Sequence, residues 1–106
     1  DDLEALLADE SVTAMLVLTP ANTHLDVARR CAQAGKHVLL EKPIDITTAR
    51  AKDLVATCRA AGVTLGIVLQ HRFKPAAVAL AEQLDSGRMG EIVGCDPALA
   101  APILLR

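Results

Sequence analysis

Apolar positions along the chain follow two alternating rhythms. Leu3, Leu6 and Leu7 recur at helical spacing over residues 1–8, and Asp9, Glu10 and Ser11 then lead into the continuous apolar run of residues 14–18. A helix followed by a buried strand is expected. Pro20 ends that strand, Asn22 or Thr23 can cap a helix over about residues 23–34, and Leu25, Ala28 and Ala32 mark its inner face until Gly35 supplies a left-handed stop. The same order repeats: residues 37–41 form a short apolar run and Pro43 breaks it. Thr47 then caps a helix whose Ala51, Leu54, Val55 and Cys58 face inward until Gly62. Residues 63–69 make a third strand. Pro75 suits the first turn of a further helix, Val78, Leu80, Ala81 and Leu84 point inward, and Gly87 closes it. Residues 91–94 are expected to begin a fourth strand.

Strands that are apolar on both faces, alternating with helices, are the pattern of a parallel sheet covered by helices on both sides. The expected fold class is α/β, a partial doubly wound parallel sheet of Rossmann-like type. An open sheet of this kind usually has five or six strands, so the chain reads as truncated at both ends. After Gly94 the rhythm stops: Cys95, Asp96 and Pro97 interrupt the last strand, and residues 98–105 are apolar without periodicity. No repeat, low-complexity segment or linker divides the chain.

Composition narrows the functional classes. The chain has 106 residues and a net charge of -2, with 11 Lys and Arg against 13 Asp and Glu, and no basic run exceeds two residues. Neither a nucleic-acid nor a membrane-surface footprint is present, so neither partner is expected. No apolar stretch approaches the ~20 residues that span a bilayer, and no secretory signal opens the sequence. A cytoplasmic location is expected. Cys31, Cys58 and Cys95 are widely spaced and form no metal-ligand pattern, which suits a reducing compartment, and the first two read as inert core thiols. Phe73 is the only aromatic residue, so stacking on bases or sugars is not expected.

In open parallel sheets ligands bind beyond the carboxyl ends of the strands. Thr19, Pro20, Asn22, Thr23 and His24 follow the first strand; Glu41, Lys42 and Pro43 follow the second; Gln70, His71, Arg72 and Lys74 follow the third. Lys42 is the sharpest candidate, because the proline after it restricts its backbone to an extended conformation and fixes where its side chain starts. A positioned ammonium can hold a hydroxyl or carbonyl oxygen and pass a proton, as oxidation of an alcohol requires. From spacing alone, Glu41 and Lys42 read as an ordinary loop-edge charge pair and His24 as a cap or surface group, while Arg72 reads equally as half of a salt bridge. His37 and His71 read as surface or structural residues, and no metal site is assigned.

Taken in order, these residues resemble the glucose-fructose oxidoreductase and inositol dehydrogenase (Gfo/Idh/MocA) family. The resemblance rests on Thr19-Pro20 with His24, on Gly35-Lys36-His37-Val38 before Glu41-Lys42-Pro43, on Gln70-His71-Arg72-Phe73 with Pro75, and on residues 86–92. It covers nearly residues 3–94, and Glu-Lys-Pro between a strand and a helix is its most specific element. It implies an oxidoreductase that uses NAD or NADP, transferring a hydride between the nicotinamide and a sugar, polyol or related hydroxyl compound. Residues 1–94 would be the second half of its dinucleotide-binding domain, and 95–106 the departure towards a substrate domain. By the resemblance Thr19, Pro20 and His24 line the nicotinamide side. Glu41 and Lys42 contact the ribose and carboxamide, with Lys42 also orienting the substrate hydroxyl. Pro43 is expected to be cis, and Gln70 and Arg72 to stand at the mouth of the same cleft.

One departure is plain: the glycines at 35, 62, 66, 87, 90 and 94 never form the Gly-x-Gly-x-x-Gly turn that cradles a pyrophosphate. The chain by itself is therefore not expected to turn over substrate. Two other classes stay in view. A non-catalytic remnant would keep these motifs, and a phosphoacceptor receiver module would share Thr19 and Lys42-Pro43 but need an earlier strand ending in Asp. If the first strand lies at a bare edge, a homo-oligomer is expected, since an unpaired apolar edge invites a second copy.

Overall fold

The computed structural model describes residues 2–94. Its elements run α1 (Leu3–Ala8), β1 (Ala14–Val17), α2 (His24–Gln33), β2 (His37–Glu41), α3 (Thr48–Ala60), β3 (Leu65–Val68) and α4 (Pro75–Asp85), with short 3-10 turns before α2 and α4. The chain divides into two compact units between Val68 and Leu69.

In the first unit β1, β2 and β3 pair in parallel in that order, with Met15 opposite Val38, Val17 opposite Leu40 and Glu41 opposite Val68. This is the parallel α/β sheet of doubly wound topology that the alternating pattern implies. Val17, Val38 and Leu40 turn to one face, where Leu25, Ala28, Cys31 and Ala32 of α2 and Leu54 and Cys58 of α3 bury them. Two successive right-handed crossovers advancing in one direction put both helices on the same side. Among the described residues the opposite face of the sheet leaves Leu16 57% and Leu39 45% exposed.

Local chemistry sets the helix limits. Thr47 caps α3 by accepting the Arg50 N–H, and Gly35 and Gly62, at φ of 71° and 68°, turn the chain after α2 and α3. Inside α3 the buried stripe is only as wide as Leu54 and Cys58; Val55, one position round the helix, is exposed rather than inward. Lys36 is buried and donates from Nζ to the Asp9 carbonyl at 2.8 Å, which ties the start of β2 to the turn after α1.

The second unit opens with a 3-10 turn over Gln70–Phe73, against which α4 packs. Pro75 occupies the first turn of α4; Leu80, Ala81 and Leu84 are half-buried and Val78 is exposed. Residues 91–94 are not a strand. They lie after Gly90 with its left-handed φ of 68°, no ladder partner satisfies their backbone among the described residues, and Val93 is 97% exposed. The expected departure over residues 95–106 and the Cys95 thiol lie outside the described residues.

Candidate functional site

Thr19 lies two residues past Val17, and Lys42 lies two residues past Leu40, the strand partner of Val17. The carboxyl ends of β1 and β2 thus bring Thr19 and Pro20 alongside Glu41, Lys42 and Pro43. The peptide bond between Lys42 and Pro43 is cis, as the resemblance implies. Lys42 is exposed and Glu41 half-buried, and neither side chain has a hydrogen bond or ion pair among the described residues. Thr19 is different, because its hydroxyl accepts from the Thr23 hydroxyl at 2.8 Å.

The groups beneath these residues are fully committed to the protein. His24 is 1% exposed. Its Nδ1 lies 3.0 Å from the Pro43 carbonyl and 3.2 Å from that of Ile44, and its Nε2 lies 2.8 Å from the Thr19 carbonyl. Whichever ring nitrogen carries the proton, one side of the ring donates to a carbonyl. The ring of His24, which the resemblance puts on the nicotinamide side, bonds to the backbone of Thr19 and of Pro43 and Ile44.

Asp45 is the residue that sequence reasoning missed. Its Oδ2 accepts the Leu25 N–H at 3.0 Å, while its Oδ1 accepts the Ile46 N–H at 2.7 Å and Arg50 Nε at 2.7 Å. Burial works against the charged form of this carboxylate, but the hydrogen bonds from Arg50, Ile46 and Leu25 outweigh it and hold it below the ordinary aspartate range. Arg50 continues to the Asn22 carbonyl at 3.0 Å and the Asp26 carboxylate at 3.3 Å. The available signal was an acid between Ile44 and Ile46 with an arginine five residues on, a pattern that also describes many solvated loops.

Gln70 and Arg72 are exposed on the 3-10 turn of the second unit. His37 is structural, its Nδ1 accepting the Thr64 N–H at 3.0 Å, and His71 is exposed. Among the described residues no group of His, Cys, Asp and Glu is arranged to hold a metal ion.

At this edge Lys42 offers donors and Glu41 an acceptor, neither of them engaged by another described residue.

Residues 1–69 match the family described as an oxidoreductase family with an NAD-binding Rossmann fold (Gfo/Idh/MocA). Inositol 2-dehydrogenase of Rhizobium meliloti is 32% identical over 90 residues, which covers 85% of this chain and 27% of that protein. An NADP-dependent D-xylose 1-dehydrogenase of Haloferax volcanii is 38% identical over 90 residues, again 85% of this chain and 27% of its own length. Among solved structures, the WlbA dehydrogenase of Bordetella pertussis in complex with NADH and UDP-GlcNAcA superposes with a TM-score of 0.75 at 36% identity, over 86% of this chain and 26% of that one. The chain spans about a quarter of the length of these relatives. With the ordered motifs, the cis Lys42-Pro43 bond and the parallel sheet, the match over residues 1–69 shows that the chain belongs to the Gfo/Idh/MocA oxidoreductase family, within its NAD-binding Rossmann fold.

Proposed function

We propose that this chain forms the nicotinamide-facing part of an NAD(P)-dependent oxidoreductase that acts on a sugar, polyol or related hydroxyl compound. The observation that carries the reading is Lys42: an exposed ammonium with no partner among the described residues, based on a loop whose underside is fully hydrogen-bonded. The relatives support the substrate class, since they include an inositol and a xylose dehydrogenase. They also divide between NADH and NADP, so either cofactor is consistent with this half of the site.

When bound, the nicotinamide supplies the hydride acceptor for the substrate carbon. Lys42 would donate from its ammonium to the hydroxyl oxygen and stabilise the negative charge that develops there, while the hydroxyl proton passes to solvent water as the carbonyl forms. Glu41 accepts from a ribose hydroxyl or the carboxamide and Thr19 and Pro20 wall the same edge.

The test uses the complete natural polypeptide, assayed by nicotinamide absorbance with NAD⁺ or NADP⁺ against myo-inositol, xylose and glucose. Turnover is expected with at least one pair. Lys42→Ala should lower kcat by about a hundredfold or more while cofactor affinity changes by less than about threefold. Unchanged kcat in that variant, or no cofactor binding by the polypeptide, would overturn the reading.

A further inference from the structure

Two buried side chains reach in opposite directions between the start of α2 and the loop that carries Lys42. From α2, His24 reaches the Pro43 and Ile44 carbonyls; from the loop, Asp45 reaches back to the N–H of Leu25, the next residue of α2. Thr23, at the N-cap position of α2, makes no side-chain capping bond, so Asp45 supplies from a distant segment the acceptor that a local cap would provide. The Asp45 side chain is 0% exposed, and Arg50, at 31%, closes its outer side. The His24 bonds end on Thr19 and on Pro43 and Ile44, directly after Lys42, while the Asp45 bonds tie that same loop to Leu25 of α2 and to Arg50 of α3.

We propose that Asp45 is a positioning residue: together with His24 it locks the loop after β2 onto α2, so that Lys42 projects from a rigid base. The proposal rests on the reading of Lys42 given above. The chemistry demands a carboxylate. Three N–H donors, from Leu25, Ile46 and Arg50, converge on its two oxygens, whereas an asparagine offers one oxygen and an NH₂ that would face a donor. An ammonium that must meet a substrate oxygen depends on such a base, because displacements of about 1 Å cost catalysis severely.

The test compares Asp45→Asn, Asp45→Ala and Lys42→Ala in the complete natural polypeptide by hydrogen exchange and steady-state kinetics. The Leu25 and Ile46 amides, which Asp45 accepts directly, should exchange about tenfold faster or more in both Asp45 variants, with the β2 and β3 amides unchanged. Turnover should fall about tenfold or more in both, with KM altered by less than about threefold. Arg50→Gln removes one donor while leaving Asp45 in place and should show the same pattern more weakly, which covers the case in which an Asp45 variant does not fold. Faster exchange at Leu25 and Ile46 with unchanged turnover would overturn the proposal. So would unchanged exchange at these amides, or a loss of protection spread equally over the strands. If Lys42→Ala alone leaves turnover intact, the reading of Lys42 fails, while exchange at Leu25 and Ile46 still decides whether Asp45 holds the loop.

Discussion

The Nε2 of His24 stands 2.8 Å from the carbonyl oxygen of Thr19, so one buried ring joins the end of β1 to the loop after β2. Replacing it with leucine keeps roughly the volume and removes the ring N–H that these buried carbonyls face. A buried acceptor left without its donor costs about 1–3 kcal/mol, so His24→Leu is expected to lose about 2–4 kcal/mol in urea unfolding. A loss below about 1 kcal/mol would show that water replaces the ring.

That relationship marks the limit of what the sequence displays. The run at residues 37–41, the cap at Thr47 and the glycine stops at 35 and 62 are each decided within a few residues, and all stand as expected. His24 could be placed near the site because it follows a strand end, but whether its ring faces a ligand or a backbone carbonyl depends on residues 19 and 20 positions away. Asp45 pairs with Leu25 across the same span, so no local pattern reveals it. Residues 91–94 fail as a strand for a related reason: apolar side chains favour a ladder only where a neighbouring strand accepts it.

The Asp45 carboxyl is held below the ordinary aspartate range in the folded chain, the hydrogen bonds from Arg50, Ile46 and Leu25 outweighing burial. Protons therefore bind the unfolded chain more readily. The stability this contributes is fully present above the ordinary aspartate range and is lost as pH falls through the lower folded value. Asp9, lowered mainly by its hydrogen bonds from Ser11, adds to the same acid limb, so the difference between wild type and Asp45→Asn isolates Asp45. The gap between their urea midpoints is expected to be widest near pH 7 and to close towards about pH 2. A constant gap would remove the carboxylate from the account.

Burial raises the Cys31 and Cys58 thiols, with the neighbouring Cys58 adding to the effect on Cys31. Both thiols are buried between α2, α3 and the sheet, so they stay protonated and shielded at mildly alkaline pH. The thiolate is the reactive form. In the native protein at about pH 8, iodoacetamide should label these two at least about a hundredfold more slowly than in urea, read by peptide mass spectrometry. The corresponding stability is present below the ordinary thiol range and lost as pH rises through the raised folded values. Rapid native labelling at either position would mean that the helix layer opens locally.

In the order β1-β2-β3 one edge of β1 has no strand beside it among the described residues, and Leu16 and Leu39 stand exposed on the face that α2 and α3 leave uncovered. An unpaired strand edge next to an apolar face is a template for another copy, because backbone N–H and C=O groups left to water gain a ladder by pairing. Produced by itself, the 106-residue chain is therefore expected to sediment as a dimer or larger species at about 100 µM. Leu16→Lys places a charge on the exposed face without touching the buried side, and charge on an edge strand opposes pairing, so this variant should return the chain to 11.1 kDa. A wild-type chain that stays monomeric at about 1 mM would show that the twist of β1 or its flanking turns already protects the edge.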